Sequence, residues 1–114
     1  AEEFRKVERR SSRILNYLPE EEKNLRGLAL SWLAYIKGFY GEKNEAEKLY
    51  DLAEKELENS SFEEKGLYLL LKILTLIEFK NFKKAEKYIE LINDKKYPFY
   101  FRSLALLAKN FEKV

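Results

Sequence analysis

The sequence predicts an all-α fold, an α-solenoid of antiparallel helix pairs with about six helices. Apolar residues recur at helical spacing through nearly the whole chain, and no segment shows the strict alternation of a strand. Short runs rich in Pro, Gly, Asn or Ser separate the periodic segments, as expected for helices joined by short loops. A short pattern also recurs at intervals of 39 and 37 residues, which is typical of stacked helical repeats.

The composition describes one globular domain, residues 1–114, without thiol or imidazole chemistry. Apolar residues make up 46% of the chain and charged residues 37%, and the formal net charge is +2. This balance is typical of a soluble globular protein, and neither disorder nor affinity for nucleic acid over the whole surface follows from it. Because Cys and His are absent, disulfides, thiolate sites and imidazole metal sites are excluded. We expect no cofactor and no metal site.

The residue types that are missing indicate a thermophile. Gln and Met are absent, Thr75 is the only threonine, and Lys and Glu are abundant. Enrichment in Lys and Glu with few thermolabile residues is the compositional signal of hyperthermophiles.

The chain begins at Ala1 within a charged helical pattern, and no signal peptide is visible. We therefore expect a fragment of a longer, cytoplasmic protein.

The first three helices are predicted from apolar stripes and breaker residues. Residues 2–18 form the first, with an apolar stripe in an otherwise charged helix. Pro19 suits the first turn of the second helix, because proline lacks the N–H group that would have no partner there. This helix runs to Tyr40, and Gly41 is expected as its left-handed cap. The third helix spans roughly Lys43 to Leu57.

The fourth helix, residues 62–79, is the most apolar part of the chain and is expected to be the most buried. It is apolar on nearly all sides, which is typical of a helix with several packed neighbours. The apolar run is well short of the ~20 residues that a bilayer crossing needs, so no membrane span is expected. Ser61 and Glu64 have the spacing of a capping box at its start. Asn81 begins a fifth helix, and Pro98 opens a sixth.

A five-residue pattern occurs three times, beginning at Arg26, Lys65 and Arg102. Its second residue is small each time: Gly27, Gly66 and Ser103. Glycine inside a helix costs about 1 kcal/mol relative to alanine, so we expect another helix to approach closely at these positions. Helix faces are expected to meet through a set of small residues: Ala34, Ala46, Ala53, Gly66 and Ala85.

These repeats resemble tetratricopeptide (TPR) repeats. The residues that carry the resemblance are Gly27, Leu30, Leu33, Ala34, Gly41, Ala46, Tyr50 and Ala53 in one repeat, and Leu69 and Ala85 in the next. The resemblance implies repeats at approximately 27–65 and 66–102, flanked by half repeats. The chain departs from the family in its period, which exceeds the usual 34 residues by about a turn, and in lacking the closing proline. It also departs from the family pattern at Lys72, Ile73, Ile89 and Ile92.

The function that the resemblance implies is that of a protein–protein interaction module, a scaffold or adaptor and not an enzyme. The A helices of such stacks line a groove that binds peptides or helices. Carried over position by position, the groove residues are Leu28, Ser31, Tyr35, Phe39, Leu67, Leu70, Leu74, Glu78, Leu104, Leu107 and Phe111. This face has almost no charge, so it suits an apolar or amphipathic segment of a partner, a second copy or the same chain. Tyr35 and Phe39 are the expected anchors.

Aromatic residues are a second indication of an interface. They cluster at Trp32, Tyr35, Phe39 and Tyr40, and again at Tyr97, Phe99, Tyr100 and Phe101. Packing in the core and at helix junctions is expected to account for most of them. Any that form a large exposed apolar patch would mark an interaction surface.

Two alternatives stay open at this point. A basic stripe on the first helix could contact nucleic-acid phosphates through Arg5, Arg9, Arg10 and Arg13. Acidic residues intervene in the same helix, so nucleic acid is the less favoured partner. The chain could also be a purely structural or regulatory part of a larger protein. No catalytic residue is predicted, because the carboxylates and lysines lie on helix faces dense with opposite charge.

Overall fold

The structure, a computed structural model, describes the backbone of residues 2–111 and the side chains of residues 2–110. Within that range it contains six α-helices and no strand, which confirms the predicted all-α class. The helices are α1 (Glu2–Tyr17), α2 (Lys23–Phe39), α3 (Lys43–Glu56), α4 (Phe62–Glu78), α5 (Phe82–Ile92) and α6 (Phe99–Phe111). The chain divides into two units, residues 1–60 with α1 to α3 and residues 61–114 with α4 to α6.

The start of α2 differs from the prediction, because Pro19 does not open this helix. Residues 19–22 form a turn, in which the Glu22 N–H donates to the Pro19 carbonyl at 3.1 Å. Helix α2 begins only at Lys23. Pro19 therefore belongs to the turn that precedes α2, and its fixed φ suits that turn.

In the first unit, α2 packs against both α1 and α3. A Cβ added at Gly27 would overlap the Leu57 side chain at the end of α3, which explains the glycine inside α2. Three alanines of α2 and α3 are buried with almost no exposed surface: Ala34, Ala46 and Ala53. These small residues allow close packing of the helices.

Helices α2 and α4 end in the same left-handed cap. Gly41 has a φ of 79° after α2, as predicted, and Lys80 has a φ of 60° after α4. The same two backbone hydrogen bonds close each cap at 2.9–3.0 Å: Gly41 to Gly38 and Glu42 to Lys37, and Lys80 to Ile77 and Asn81 to Leu76. Lysine carries a Cβ that disfavours this conformation, so the cap after α4 is strained where the cap after α2 is not.

In the second unit, α4 packs against α5 and α6, which also contact each other. Nine residues of α4 are buried, whereas seven residues of α2 are.

The capping box predicted at the start of α4 is confirmed. Ser61 Oγ accepts from the Glu64 N–H at 3.2 Å, and Glu64 Oε1 accepts from the Ser61 N–H at 3.2 Å.

The close contact predicted at Gly66 is also present. A Cβ added there would lie 2.5 Å from Cδ2 of Phe101, a residue of α6. The α6 ring therefore lies directly on the α4 backbone, and only glycine leaves room for it. Ala85 of α5 is completely buried in the same unit.

Lys72 is a buried cation in the middle of α4, with 6% of its surface exposed. Its Nζ donates to the Tyr88 hydroxyl at 2.9 Å and to the Tyr68 hydroxyl at 3.2 Å. These two phenol oxygens replace part of the hydration that the ammonium loses on burial.

In the part of the chain that the structure describes, no helix has the length and apolar content needed to cross a membrane.

Candidate functional site

The groove residues predicted on α2 differ in their accessibility. Ser31 is completely buried, and its hydroxyl donates to the Gly27 carbonyl at 2.8 Å. The Ser31 side chain has no exposed surface in this structure, and its assignment to a groove stays a prediction. Leu28 and Tyr35 are partly buried, and Phe39 is exposed.

The remaining groove residues belong to the second unit. Leu70 is 7% exposed and is one of the buried apolar residues. The others are accessible to different degrees: Leu67 and Leu74 are partly buried, and Glu78, Leu104 and Leu107 are exposed. The Phe111 side chain lies outside the described residues. The continuous groove itself stays a prediction.

The two expected anchors pack against aromatic neighbours in their own unit. The Phe39 ring meets the Phe4 ring edge to face at 4.6 Å and the Tyr40 ring at 5.3 Å. The Tyr35 ring meets the Trp32 ring at 6.2 Å. Phe39 thus contributes to the contact between α1 and α2 while it keeps an exposed edge.

The basic stripe predicted on α1 is interrupted at its first member. Arg5 lies 3.0 Å from the Glu8 carboxylate and 3.7 Å from that of Glu42, and its guanidinium stacks 3.7 Å above the Tyr40 ring. Arg5 therefore stabilises the first unit and does not present a free charge. The other three members are exposed and form no salt bridge among the described residues: Arg9, Arg10 and Arg13.

Lys37 extends the Arg5 contacts into a network of four charges. Its Nζ lies 3.0 Å from Glu8 and 3.1 Å from Glu42. Burial raises the pKa of the Glu8 carboxyl, but hydrogen bonds from Lys37 and Arg5 outweigh this effect, so the pKa lies below its usual value. Hydrogen bonds to Glu8 and Glu42 raise the pKa of Lys37. We call Arg5, Glu8, Lys37 and Glu42 the Glu8 network. Each of its charges is neutralised by a neighbour, so we assign the Glu8 network a structural role.

An exposed apolar stripe runs along α6. Tyr100, Leu104 and Leu107 are 53%, 48% and 57% exposed, and their spacing places them on one face of the helix. Ala105 and Ala108 of the same helix are buried in the second unit. We call Tyr100, Leu104 and Leu107 the α6 stripe. Leu104 and Leu107 are predicted groove residues. Tyr100 belongs to the second aromatic cluster, and its position four residues before Leu104 places it on the same helix face.

A cleft of about 590 Å³ lies beside the start of α6 in the second unit. Its lining contains three cationic side chains, three aromatic rings and one carboxylate: Lys95, Lys96, Arg102, Phe62, Tyr97, Phe99 and Glu63, with Ser61 and Pro98. We call it the α6 cleft. The Phe62 and Tyr97 rings meet edge to face at 5.1 Å and form one wall. Sequence reasoning missed this cleft, although cations on both sides of an aromatic cluster were a signal for it.

Two groups in the α6 cleft have unusual surroundings. The Nε atom of Arg102 is buried and has no hydrogen-bond partner among the described residues. The Arg102 guanidinium lies 5.6 Å from the Phe99 ring centre. Burial raises the pKa of the Tyr97 hydroxyl, and the negative charge of Asp94 raises it further. The cleft is thus lined by an arginine that lacks a partner at its buried Nε and by a phenol that stays neutral at physiological pH.

Comparisons with known proteins give no relative from which a role could be transferred. No family model matches the chain, and no curated protein or solved structure shows significant similarity to it. Across the residues whose placement is described, no group of three acidic side chains could hold a metal ion. The α6 stripe and the α6 cleft are therefore interpreted from their own geometry.

Proposed function

We propose that the protein is a protein–protein interaction module that binds an amphipathic helix of a partner on the α6 stripe. The observation that carries this proposal is the exposure of three large apolar side chains on one helix face. Burying them would contribute about 25 cal/mol per Å² of apolar surface. Contiguous exposed apolar surface is typical of interaction sites on soluble proteins.

The spacing of the α6 stripe favours a helix as the occupant. Its residues follow an i, i+4, i+7 pattern, which is the pattern of apolar anchors in helix-in-groove recognition. Arg102 and Lys109 are the only charged residues of α6, so the matching face of the partner is expected to be apolar. The two cations favour acidic residues at the edges of the partner helix.

A TPR-like solenoid of helix pairs is the architecture that we propose for this module. Residues 39 positions apart have matching burial, as in the pairs Ala34 and Ile73, Ala46 and Ala85, and Ala53 and Ile92. The two left-handed caps, at Gly41 and Lys80, are separated by the same interval. This correspondence supports two copies of one helical repeat, and repeat stacks commonly present binding surfaces.

Selection of helical peptides would test the proposal. A displayed library of helical peptides is selected against the protein and then screened against the variant Leu104→Lys/Leu107→Lys. The control is Leu52→Lys/Leu91→Lys, which places the same substitutions at two other exposed leucines. We expect selected peptides to carry apolar residues at i, i+3 or i+4, and i+7. We also expect their affinity to fall by about tenfold or more in the stripe variant and not in the control.

Circular dichroism and thermal melting establish whether each variant is folded. Peptides without helical spacing, or peptides that bind the stripe variant and the control equally, would contradict the proposal. An unfolded stripe variant would be replaced by Leu107→Ala, which shortens the stripe without adding charge.

A second candidate function rests on the exposed arginines of α1. Arg9, Arg10 and Arg13 lie within two turns and form no salt bridge among the described residues, so they could contact phosphates. Three such contacts predict a slope of about −3 for log K against log salt concentration on duplex DNA. The variant Arg9→Ala/Arg10→Ala/Arg13→Ala should abolish this binding, whereas Lys83→Ala/Lys84→Ala/Lys87→Ala should not. Equal binding by the two variants would indicate only non-specific attraction.

A further inference from the structure

We infer that the α6 cleft binds an acidic segment of a partner protein, with a carboxylate held by Arg102 and an adjacent apolar side chain packed against Phe62 and Phe99. The inference rests on the proposed function only because it takes the occupant to be a protein segment. It concerns residues that the α6 stripe does not contain.

The charge of the cleft is the first argument. Lys95, Lys96 and Arg102 line it together with a single carboxylate, that of Glu63. None of the three cations forms a salt bridge among the described residues, whereas the cations of the Glu8 network are all paired. A cleft that gathers one sign of charge attracts ligands of the opposite sign.

The second argument comes from comparing two arginines in the same sequence context. Arg26 and Arg102 each begin the recurring five-residue pattern. Arg26 donates to the carbonyls of Leu15 and Leu18 at 3.1 and 3.4 Å and lies 3.9 Å from Glu56. The Nε atom of each arginine is buried without a hydrogen-bond partner. Arg102 differs from Arg26 because its other guanidinium nitrogens also have no hydrogen bond or salt bridge to a described residue. A carboxylate bound in the cleft would give the other guanidinium nitrogens of Arg102 the acceptors that Arg26 finds within the protein.

The aromatic lining is the third argument, because it selects among anions. Phe62 and Phe99 are 40% and 73% exposed, and both border the cleft. A free inorganic anion would leave these rings in contact with water. A carboxylate that is followed by an apolar side chain would satisfy the guanidinium and cover the rings at the same time. At about 590 Å³ the cleft has room for a few side chains and not for a nucleic-acid duplex.

The test is a titration followed by NMR with three probes. The first is a blocked hexapeptide of alternating Glu and Phe, the second is the same peptide with Gln in place of Glu, and the third is sodium phosphate. The Nε–H signal of Arg102 is assigned with the variant Arg102→Lys. We expect the acidic peptide to shift this signal selectively among those of the six arginines. The Gln peptide should bind about tenfold more weakly or worse, because it lacks the charge.

Matched variants separate the cleft from general attraction between charges. Lys95→Ala/Lys96→Ala changes two exposed residues of the cleft and should weaken the acidic peptide by about tenfold. Lys83→Ala/Lys84→Ala removes the same charge from exposed positions of α5 and should leave binding unchanged. Arg102→Lys keeps the charge but loses the planar fork, so it should also weaken binding.

Several outcomes would overturn the inference. They are no shift of the Arg102 signal, equal binding of the acidic and Gln peptides, equal effects of the two double-lysine variants, and competition by phosphate at concentrations equal to those of the peptide. The last outcome would identify a general anion site. The variant Leu104→Lys/Leu107→Lys should bind the acidic peptide normally. Loss of helical peptides with retention of the acidic peptide, or the reverse, would therefore distinguish failure of one proposal from failure of the other.

Discussion

Gly66 illustrates how one missing side chain determines the packing of a helix. Because the Phe101 ring occupies the space of its absent Cβ, any larger residue must displace that ring or the α4 backbone. We expect Gly66→Leu to lower the free energy of unfolding by about 1–3 kcal/mol through overpacking. Chemical denaturation measures this change.

A double-mutant cycle tests the assigned contact directly. Phe101→Ala removes all the ring atoms that meet an added Cβ, so Gly66→Ala should cost less in that background than in the wild type. Equal costs in the two backgrounds would show that the glycine is required for another reason.

The two left-handed caps allow two opposite substitutions, one that introduces a glycine at Lys80 and one that removes the glycine at Gly41. Lys80 holds a φ of 60°, so Lys80→Gly should remove strain and raise the free energy of unfolding by roughly 0.5–1 kcal/mol. Gly41→Ala should have the opposite effect, about 1–2 kcal/mol of destabilisation, although no atom lies within 4 Å of an added Cβ. Thermal and urea denaturation of both variants measures the two effects. Destabilisation by Lys80→Gly would mean that the lysine side chain makes a contribution that exceeds the strain.

At the scale of elements, the Glu8 network joins α1 to α2 and makes the first unit sensitive to acid. The pKa of Glu8 is lower when folded than its ordinary value of 4.5, so its contribution to stability is complete above that value. The contribution is lost as the pH falls through the folded pKa. We expect Glu8→Gln to cost about 1–2 kcal/mol at neutral pH, where the hydrogen-bonded charge is only partly exposed.

The pH dependence distinguishes this electrostatic effect from a packing defect. Denaturation at several pH values should show that the cost of Glu8→Gln shrinks as the pH falls below about 4.5. A cost that is constant over this range would contradict the assignment. Glu54→Gln, at an exposed position of α3, is a suitable control.

Sequence reasoning succeeded where an element depends on a few neighbouring residues. The cap at Gly41 and the capping box of Ser61 and Glu64 are local hydrogen-bond patterns, so their spacing was sufficient to predict them. Periodicity did not indicate which faces of α2 and α4 are accessible, because both helices have apolar residues on several sides, and Ser31 and Leu70 are buried. The α6 cleft was missed for a different reason. Phe62 and Phe99 line the same cleft because α4 packs against α6, and no local sequence pattern records that packing.

At the scale of the whole molecule, the composition predicts high stability. The chain lacks Gln, Met and Cys and is rich in Lys and Glu, and both features accompany growth at high temperature. We expect a melting temperature above about 90 °C by differential scanning calorimetry. A melting temperature near 50 °C, within the ordinary mesophile range, would remove the thermophile interpretation.

Because the side chain of Lys72 is buried, the rate at which a reagent acylates it should report how often the second unit opens. Acylating reagents modify amines that water can reach, and the two phenols and the core of α4 shield this one. Pulsed treatment with acetic anhydride, read by mass spectrometry, should therefore modify Lys83 and Lys84 at once and Lys72 only as the unit opens. The lag should shorten as urea is added, in step with the cooperative opening of that unit. Equal labelling of all three lysines in the native protein would mean that α4 opens far more readily than its burial implies.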